Sequence, residues 1–336
     1  MLFVGIDLHK KTISVCVVSQ ARVVLQRKTF LCIDTERVRA FFAELRPFRA
    51  VVEATASYEW LWQLLEPLAE RLLLAHPKKL RVIAESTRKT DRLDAQVLAE
   101  FLALDMIPEA HRPSPRLRQH RALVRQRCYV RRRAAGTRTK IRRILADYNA
   151  DRRDLFTAQG QEALQALALS PADRFVVEQL TAEWQHHGRQ VRAAEKRLRE
   201  FAKEASTAEA EARAALRSVP GIGVVTVEVL VSEIGDIRRF RSAKDVAAYA
   251  GLVPKIRESA GKGKELGITK EGSRLLRWVL VEAAWRLVRR SQRWQTIFEQ
   301  LRLRRGKKKA IVAVARRLLG VLVALWRNGV KYQLVV

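Results

Sequence analysis

Residues 3–12 read FVGIDLHKKT, an apolar run that stops on the carboxylate of Asp7. The run has the length and the Val/Ile character of a buried strand. A carboxylate at the end of such a strand is costly to desolvate unless a cation or hydrogen-bond donors compensate it. Something positive is therefore expected beside Asp7.

TISVCVVS (12–19), RVVLQRKTF (22–30) and RAVVEA (49–54) also read as strands. A helical pattern runs from about 34 to 45, SYEWLWQLLEPLAER (57–71) is a second helix, and LLLAH (72–76) is a short strand. The order β-β-β-α-β-α-β predicts a mixed α/β sheet. Glu53 ends its strand as Asp7 does, and in KTDRLDAQVLAEFL (89–102) Asp91 and Asp94 stand three apart at a helix start, on one face. Asp91 and Asp94 also fit an N-cap with its capping box. In combination the four acids suit Mg²⁺ or Mn²⁺, hard ions that prefer oxygen ligands and bridge phosphate oxygens.

The chain has 336 residues, with 65 Lys and Arg against 35 Asp and Glu, a net charge of +30. Such a surplus implies a polyanionic partner, and nucleic acid is the abundant one. No lipidation motif supports a membrane surface instead. The late apolar segment AIVAVARRLLGVLVALW (310–326) is interrupted by Arg316 and Arg317, so a cytoplasmic protein is expected. Cys16, Cys32 and Cys128 match no metal-ligand spacing and read as structural thiols in a reducing compartment.

Three parts are expected: 1–110 as the α/β domain, 111–215 as a basic and coiled helical region, and 216–336 as a helical domain with a glycine- and lysine-rich loop before its three closing helices. Between 110 and 146 there are 13 Lys or Arg and no acid. This predicts a helix that contacts phosphates, with Arg125, Arg131, Arg132, Arg133, Arg138 and Lys140 as contacts. Val177, Leu180, Trp184, His187, Val191, Ala194, Leu198 and Phe201 step by three and four, a heptad seam. It could pair between subunits or fold back on the basic helix. His9 reads as a surface residue, and His186 and His187 lack further ligands. Trp60, Trp62, Trp278, Trp285 and Trp326 are expected in the core.

SVPGIGVVTVEVLVSEIGD (218–236) reads as a helix-hairpin-helix, in which the turn of Pro220, Gly221 and Gly223 offers backbone N–H groups to a phosphate. RESAGKGK (257–264) holds Ser259 among Arg257, Lys262 and Lys264. On residue types alone this serine is either a phosphate hydrogen-bond donor or a nucleophile.

GIDLHKKT, VVEATASYEW and KTDRLDAQVLAE resemble the Asp-Glu-Asp-Asp signature of the insertion sequence 110 family of transposases. The block from 218 onward resembles that family's C-terminal domain. The resemblance implies a RuvC-like, ribonuclease-H-like N-terminal fold and a metal-binding tetrad of Asp7, Glu53, Asp91 and Asp94. It also implies a serine nucleophile at Ser259, recombination of donor and target DNA guided by a bridge RNA, and a homo-oligomer, dimer or tetramer, with composite sites. Two other readings stand beside it: a junction-resolving nuclease that uses water, and a non-catalytic RNA-binding protein.

Overall fold

The computed structural model describes residues 1–55, 57–83, 91–259 and 262–333, the side chains at 81–83, 91–93, 256–259 and 262–265 excepted. The chain forms two compact units, Met1–Arg112 and Pro113–Val336.

The first unit is built on β1 (Leu2–Leu8), β2 (Thr12–Val18), β3 (Val24–Leu31), α1 (Thr35–Glu44), β4 (Phe48–Glu53), α2 (Glu59–Leu65) and β5 (Arg71–Ala75), followed by α3 (Pro77–Ile83) and α4 (Asp91–Ala103). The sheet order is β3-β2-β1-β4-β5. β1 runs antiparallel to β2 and parallel to β4. Both central strands are buried on both faces, which is why they read as continuous apolar runs rather than alternating ones.

Val4, Ile6, Ala50 and Val52 pack with Val38 and Phe42 of α1 and with Leu61 and Leu65 of α2. On the other face Phe3, Cys16 and Val51 pack with Ala95, Leu98, Ala99 and Leu102 of α4. The edge strand β3 is mostly exposed and carries Arg27 and Lys28, charges that discourage further strand pairing. The element order is the one the sequence predicts. Helix α2 is shorter than expected: it ends at Leu65, and Pro67, which has no N–H, cannot donate to a further turn.

The second unit opens with two helices of 33 residues each, α5 (Pro115–Asp147) and α7 (Pro171–Lys203), joined through α6 (Ala158–Ala166). Both long helices start on Ser-Pro, with Ser114 accepting the N–H of Leu117 and Ser170 that of Asp173. They pack antiparallel, as the pairs Arg127–Glu195 and Arg133–Glu183 show. The seam of α7 thus folds back on the basic helix of its own chain, although only Val177, Leu198 and Phe201 along α7 are fully buried.

Then follow α8 (Thr207–Arg217), α9 (Val224–Ile234), α10 (Ala243–Tyr249), β6 (Pro254–Ser259), β7 (Lys262–Ile268), α11 (Arg274–Arg290), α12 (Gln292–Arg305) and α13 (Lys307–Asn328). Helix α13 buries Ile311, Val314, Leu318, Leu319 and Leu322 in one large core with residues from α8 to α12. The break expected at 215/216 falls inside this unit, because Val124 and Leu198 of the long pair pack against Val229 and Val279. The glycine- and lysine-rich segment, expected as a loop between helices, forms β6 and β7, an antiparallel hairpin. Trp278, expected in the core, is 53% exposed. Among the described residues no helix is long and apolar enough to cross a membrane. Cys16, Cys32 and Cys128 are unbridged, with their thiol pKa values raised by burial.

Candidate active site

Parallel pairing of β1 with β4 puts Leu2 opposite Phe48 and Ile6 opposite Val52. Side chains alternate along a strand, and Ile6 and Val52 face α1 and α2. Asp7 and Glu53, one step further on, therefore share the opposite face, the one that α4 covers. Asp7 is only 5% exposed, and His9 Nε2 lies 3.0 Å from its Oδ2. The histidine is at the surface as expected, yet it also touches the buried carboxylate.

Gly5 explains how α4 comes so close. A Cβ there would overlap the backbone of Ala95 and Ala99 and lie 3.0 Å from Leu98 Cβ. Only glycine lets helix and strand meet at backbone distance. Asp94, exposed, immediately precedes Ala95, and Asp91 opens the same helix. The side chain of Asp91 lies outside the described residues. Among the described residues no three His, Cys, Asp or Glu side chains form a group able to hold a metal ion. The donor chemistry of Asp7, Glu53 and Asp94, carboxylate oxygens only, fits a hard divalent cation.

Ser259 is the last residue of β6, paired with Lys262. The side chains of Arg257, Ser259, Lys262 and Lys264 lie outside the described residues. The six residues of β6 span about 20 Å at about 3.3 Å each. At its base the hairpin is tied to the core by Val253 and Ile268, by the 3.0 Å bond from Thr269 N–H to the Val253 carbonyl, and by Arg277, which reaches the Ala250 carbonyl at 3.1 Å. Ser259 is at the far end from these anchors.

Between α8 and α9, Gly221 has φ +84°, and a Cβ there would approach Arg286 Cβ at 3.2 Å. Gly223, the N-cap of α9, has ordinary φ −91°, and nothing lies within 4 Å of a Cβ added to it. The turn itself demands glycine at 221 only.

The basic helix divides in two. Arg125 makes a bidentate pair with Glu233 at 2.9 and 3.0 Å, and Arg121 bonds the carbonyls of Ser232 and Glu233. Glu233 is 1% exposed, so Arg125, expected to contact nucleic acid, is also a structural partner of α9, although its own side chain is 58% exposed. Arg133 pairs with Glu183 across the hairpin. Arg138 stacks 4.3 Å over the Phe156 ring. Arg131, Arg132 and Lys140 are exposed, with no carboxylate in ion-pair range among the described residues. The acid-free sequence does not show these pairings, because the balancing acids come from α7, α8 and α9.

The family model for transposases of the DEDD type in IS110 elements matches residues 4–150, the stretch that holds all four acids. The model described as the transposase IS116/IS110/IS902 family matches residues 213–299, which include Ser259. The chain belongs to the IS110 family of transposases.

Relatives extend over most of this transposase. It is 27% identical to the transposase for insertion sequence element IS1328 of Yersinia enterocolitica, across 84% of this chain and 82% of that one. It is 25% identical to the transposase for insertion sequence element IS1111A of Coxiella burnetii, across 98% and 90%. A pilin gene-inverting protein of Moraxella bovis is 26% identical across 97% and 96%. The chain is thus an enzyme of DNA transposition and recombination, and the DEDD domain implies a ribonuclease-H-like fold for the five-stranded sheet. Within the transposase, the residue that sequence reading passed over is Gly5, while His9, read as a surface residue, also contacts Asp7. The signal for Gly5 was its position inside an otherwise bulky strand, where glycine marks a close backbone approach.

Proposed function

We propose that this transposase cuts and rejoins DNA with the hydroxyl of Ser259 as nucleophile, under a bridge RNA that selects donor and target, in a dimer or tetramer. The observation that supports it best is the shared face of Asp7 and Glu53 beneath a helix that opens with Asp91 and Asp94. These four acids would hold Mg²⁺ or Mn²⁺. A divalent ion there supplies charge neutralisation at a scissile phosphate and a lowered pKa for a bound oxygen. His9 holds the Asp7 carboxylate in place from the solvent side.

In this reading Ser259 Oγ forms a bond to phosphorus as one deoxyribose ester bond to the same phosphorus breaks. The leaving oxygen takes up a proton and the serine proton passes to solvent. The phosphoserine link conserves the ester, so a strand-end hydroxyl can reverse the step without an outside energy source. Arg257, Lys262 and Lys264 neutralise the charge that builds on the phosphate. A hairpin that carries Ser259 at its far end suits delivery of the serine to acids of another copy. Gly221 and Gly223, with Arg131, Arg132 and Lys140, hold the phosphate backbone without reading sequence.

The test uses full-length protein in cells that carry the element with its flanking sequences. Covalently DNA-linked protein is trapped with denaturant, and co-purifying RNA is sequenced. The wild type yields adducts and one enriched RNA from the flank. Ser259→Ala loses the adduct and keeps RNA binding, and Asp7→Asn loses strand cleavage. Adducts at wild-type yield in Ser259→Ala would refute the nucleophile, and cleaved ends without adduct in the wild type would favour hydrolysis by water.

A further inference from the structure

Between α5, α7 and the segment leading into α6 lies a cavity of about 640 Å³. Arg131, Arg138, Arg153, Arg189 and Arg192 line it, and no acidic residue does. None of the five has a carboxylate in ion-pair range among the described residues, whereas the neighbouring acids are already engaged: Glu183 by Arg133, Glu195 by Arg127, Asp151 by Arg142 and Asp154 by Arg152. Burial first, and then the charges of Arg131 and Arg142, push the Arg138 pKa down. Five guanidinium groups around one space make an anion site that nothing within the hairpin fills.

The wall also carries Trp184 and Phe156, with ring centroids 5.0 Å apart. Arg138 and Arg142 lie over Phe156, while Trp184 is half-buried at the cavity. One turn along α7 from Trp184 stands Gly188, and a Cβ there would meet only Arg192 Nη1, at 3.7 Å. Glycine inside a long helix is less favourable than alanine, and no close contact here requires it. Its effect is to keep open the space beside the indole.

We propose that this cavity takes one unpaired nucleotide of a nucleic-acid strand, its base against Trp184 and its phosphates among Arg131, Arg189 and Arg192. The volume falls in the range of small-molecule sites. Aromatic stacking with flanking guanidinium groups is how single strands are held without regard to sequence. A paired base is stacked inside its duplex and cannot reach the indole, so the cavity separates unpaired from paired nucleic acid. The inference rests on the nucleic-acid partner of a transposase and is independent of the roles given to Ser259 and the four acids.

The experiment measures binding of full-length protein to a labelled oligouridylate, an oligothymidylate and a blunt DNA duplex by fluorescence anisotropy, for wild type, Trp184→Ala and Gly188→Leu. Gly188→Leu fills the cavity while favouring the helix, so thermal melting should be no lower than wild type. The expected result is about a tenfold loss of single-strand affinity in both variants, with duplex affinity unchanged. A loss confined to oligouridylate assigns the site to RNA, and one confined to oligothymidylate to unpaired DNA. Unchanged single-strand binding in Gly188→Leu, or an equal loss for duplex, overturns the proposal. A wild type that binds none of the three probes would refute the nucleic-acid partner itself.

Discussion

Gly5 of β1 and Ala95 of α4 meet backbone to backbone, leaving no room for a methyl group. That contact sets the helix with Asp91 and Asp94 on the sheet face shared by Asp7 and Glu53. Gly5→Ala should lower stability by about 1–3 kcal/mol, the scale of overpacking a tight core. It should also reduce DNA cleavage below what the folded fraction explains. Melting curves and cleavage assays at a temperature where the variant is folded check both, and full activity there would mean that α4 need not sit so close.

The two glycines before α9 should separate in their effects. Gly221→Ala forces a side chain into left-handed backbone at φ +84° and costs about 1–2 kcal/mol. Gly223→Ala, in ordinary backbone with open space around it, costs under about 1 kcal/mol as a weaker helix cap. If α9 starts on a phosphate, Gly223→Ala weakens duplex DNA binding despite that small cost. Equal binding would assign the turn to folding alone.

Arg125 and Arg132 lie seven residues apart on one helix yet differ in role. Arg125→Ala strips the buried Glu233 of its bidentate partner and should destabilise by about 1–3 kcal/mol. Arg132→Ala should leave the melting temperature alone and weaken nucleic-acid binding, with the salt slope of log affinity reduced by about 1. A melting temperature that falls for Arg132→Ala would contradict this division.

In the core of the second unit His120 Nε2 lies 2.6 Å from Glu228 Oε2, and Arg213 Nε lies 2.9 Å from Oε1. Burial by itself would raise the Glu228 pKa, but the hydrogen bonds from His120 and Arg213 outweigh it and hold the carboxyl below its usual range. A depressed carboxyl stabilises the fold above its unfolded pKa of about 4.3, and the contribution disappears as pH falls through the lower folded value. Glu228→Gln should therefore cost about 3 kcal/mol at neutral pH. The gap between variant and wild type should shrink in melts run below about pH 4. A gap independent of pH would show that the charge of Glu228 is not what matters.

Much of this was legible in the residues. The strands showed because β1, β2 and β4 are apolar runs cut by turn residues, and Asp7 and Glu53 stood out as acids ending such runs. The basic helix and the heptad seam were also visible as patterns. Their meaning was not: an acid-free stretch looks like a nucleic-acid face until Glu195, Glu209 and Glu233 arrive from other helices. The β6–β7 hairpin escaped notice because a glycine- and lysine-rich segment has no alternating apolar face, and its strands are held by pairing with each other.

The order of elements, the net charge and the set of carboxylates follow from local pattern and composition. Which charges neutralise one another and which remain available depends on how the chain folds. Burial and pairing are properties of residues far apart in the chain, and Coulomb and desolvation energies depend on distance in space.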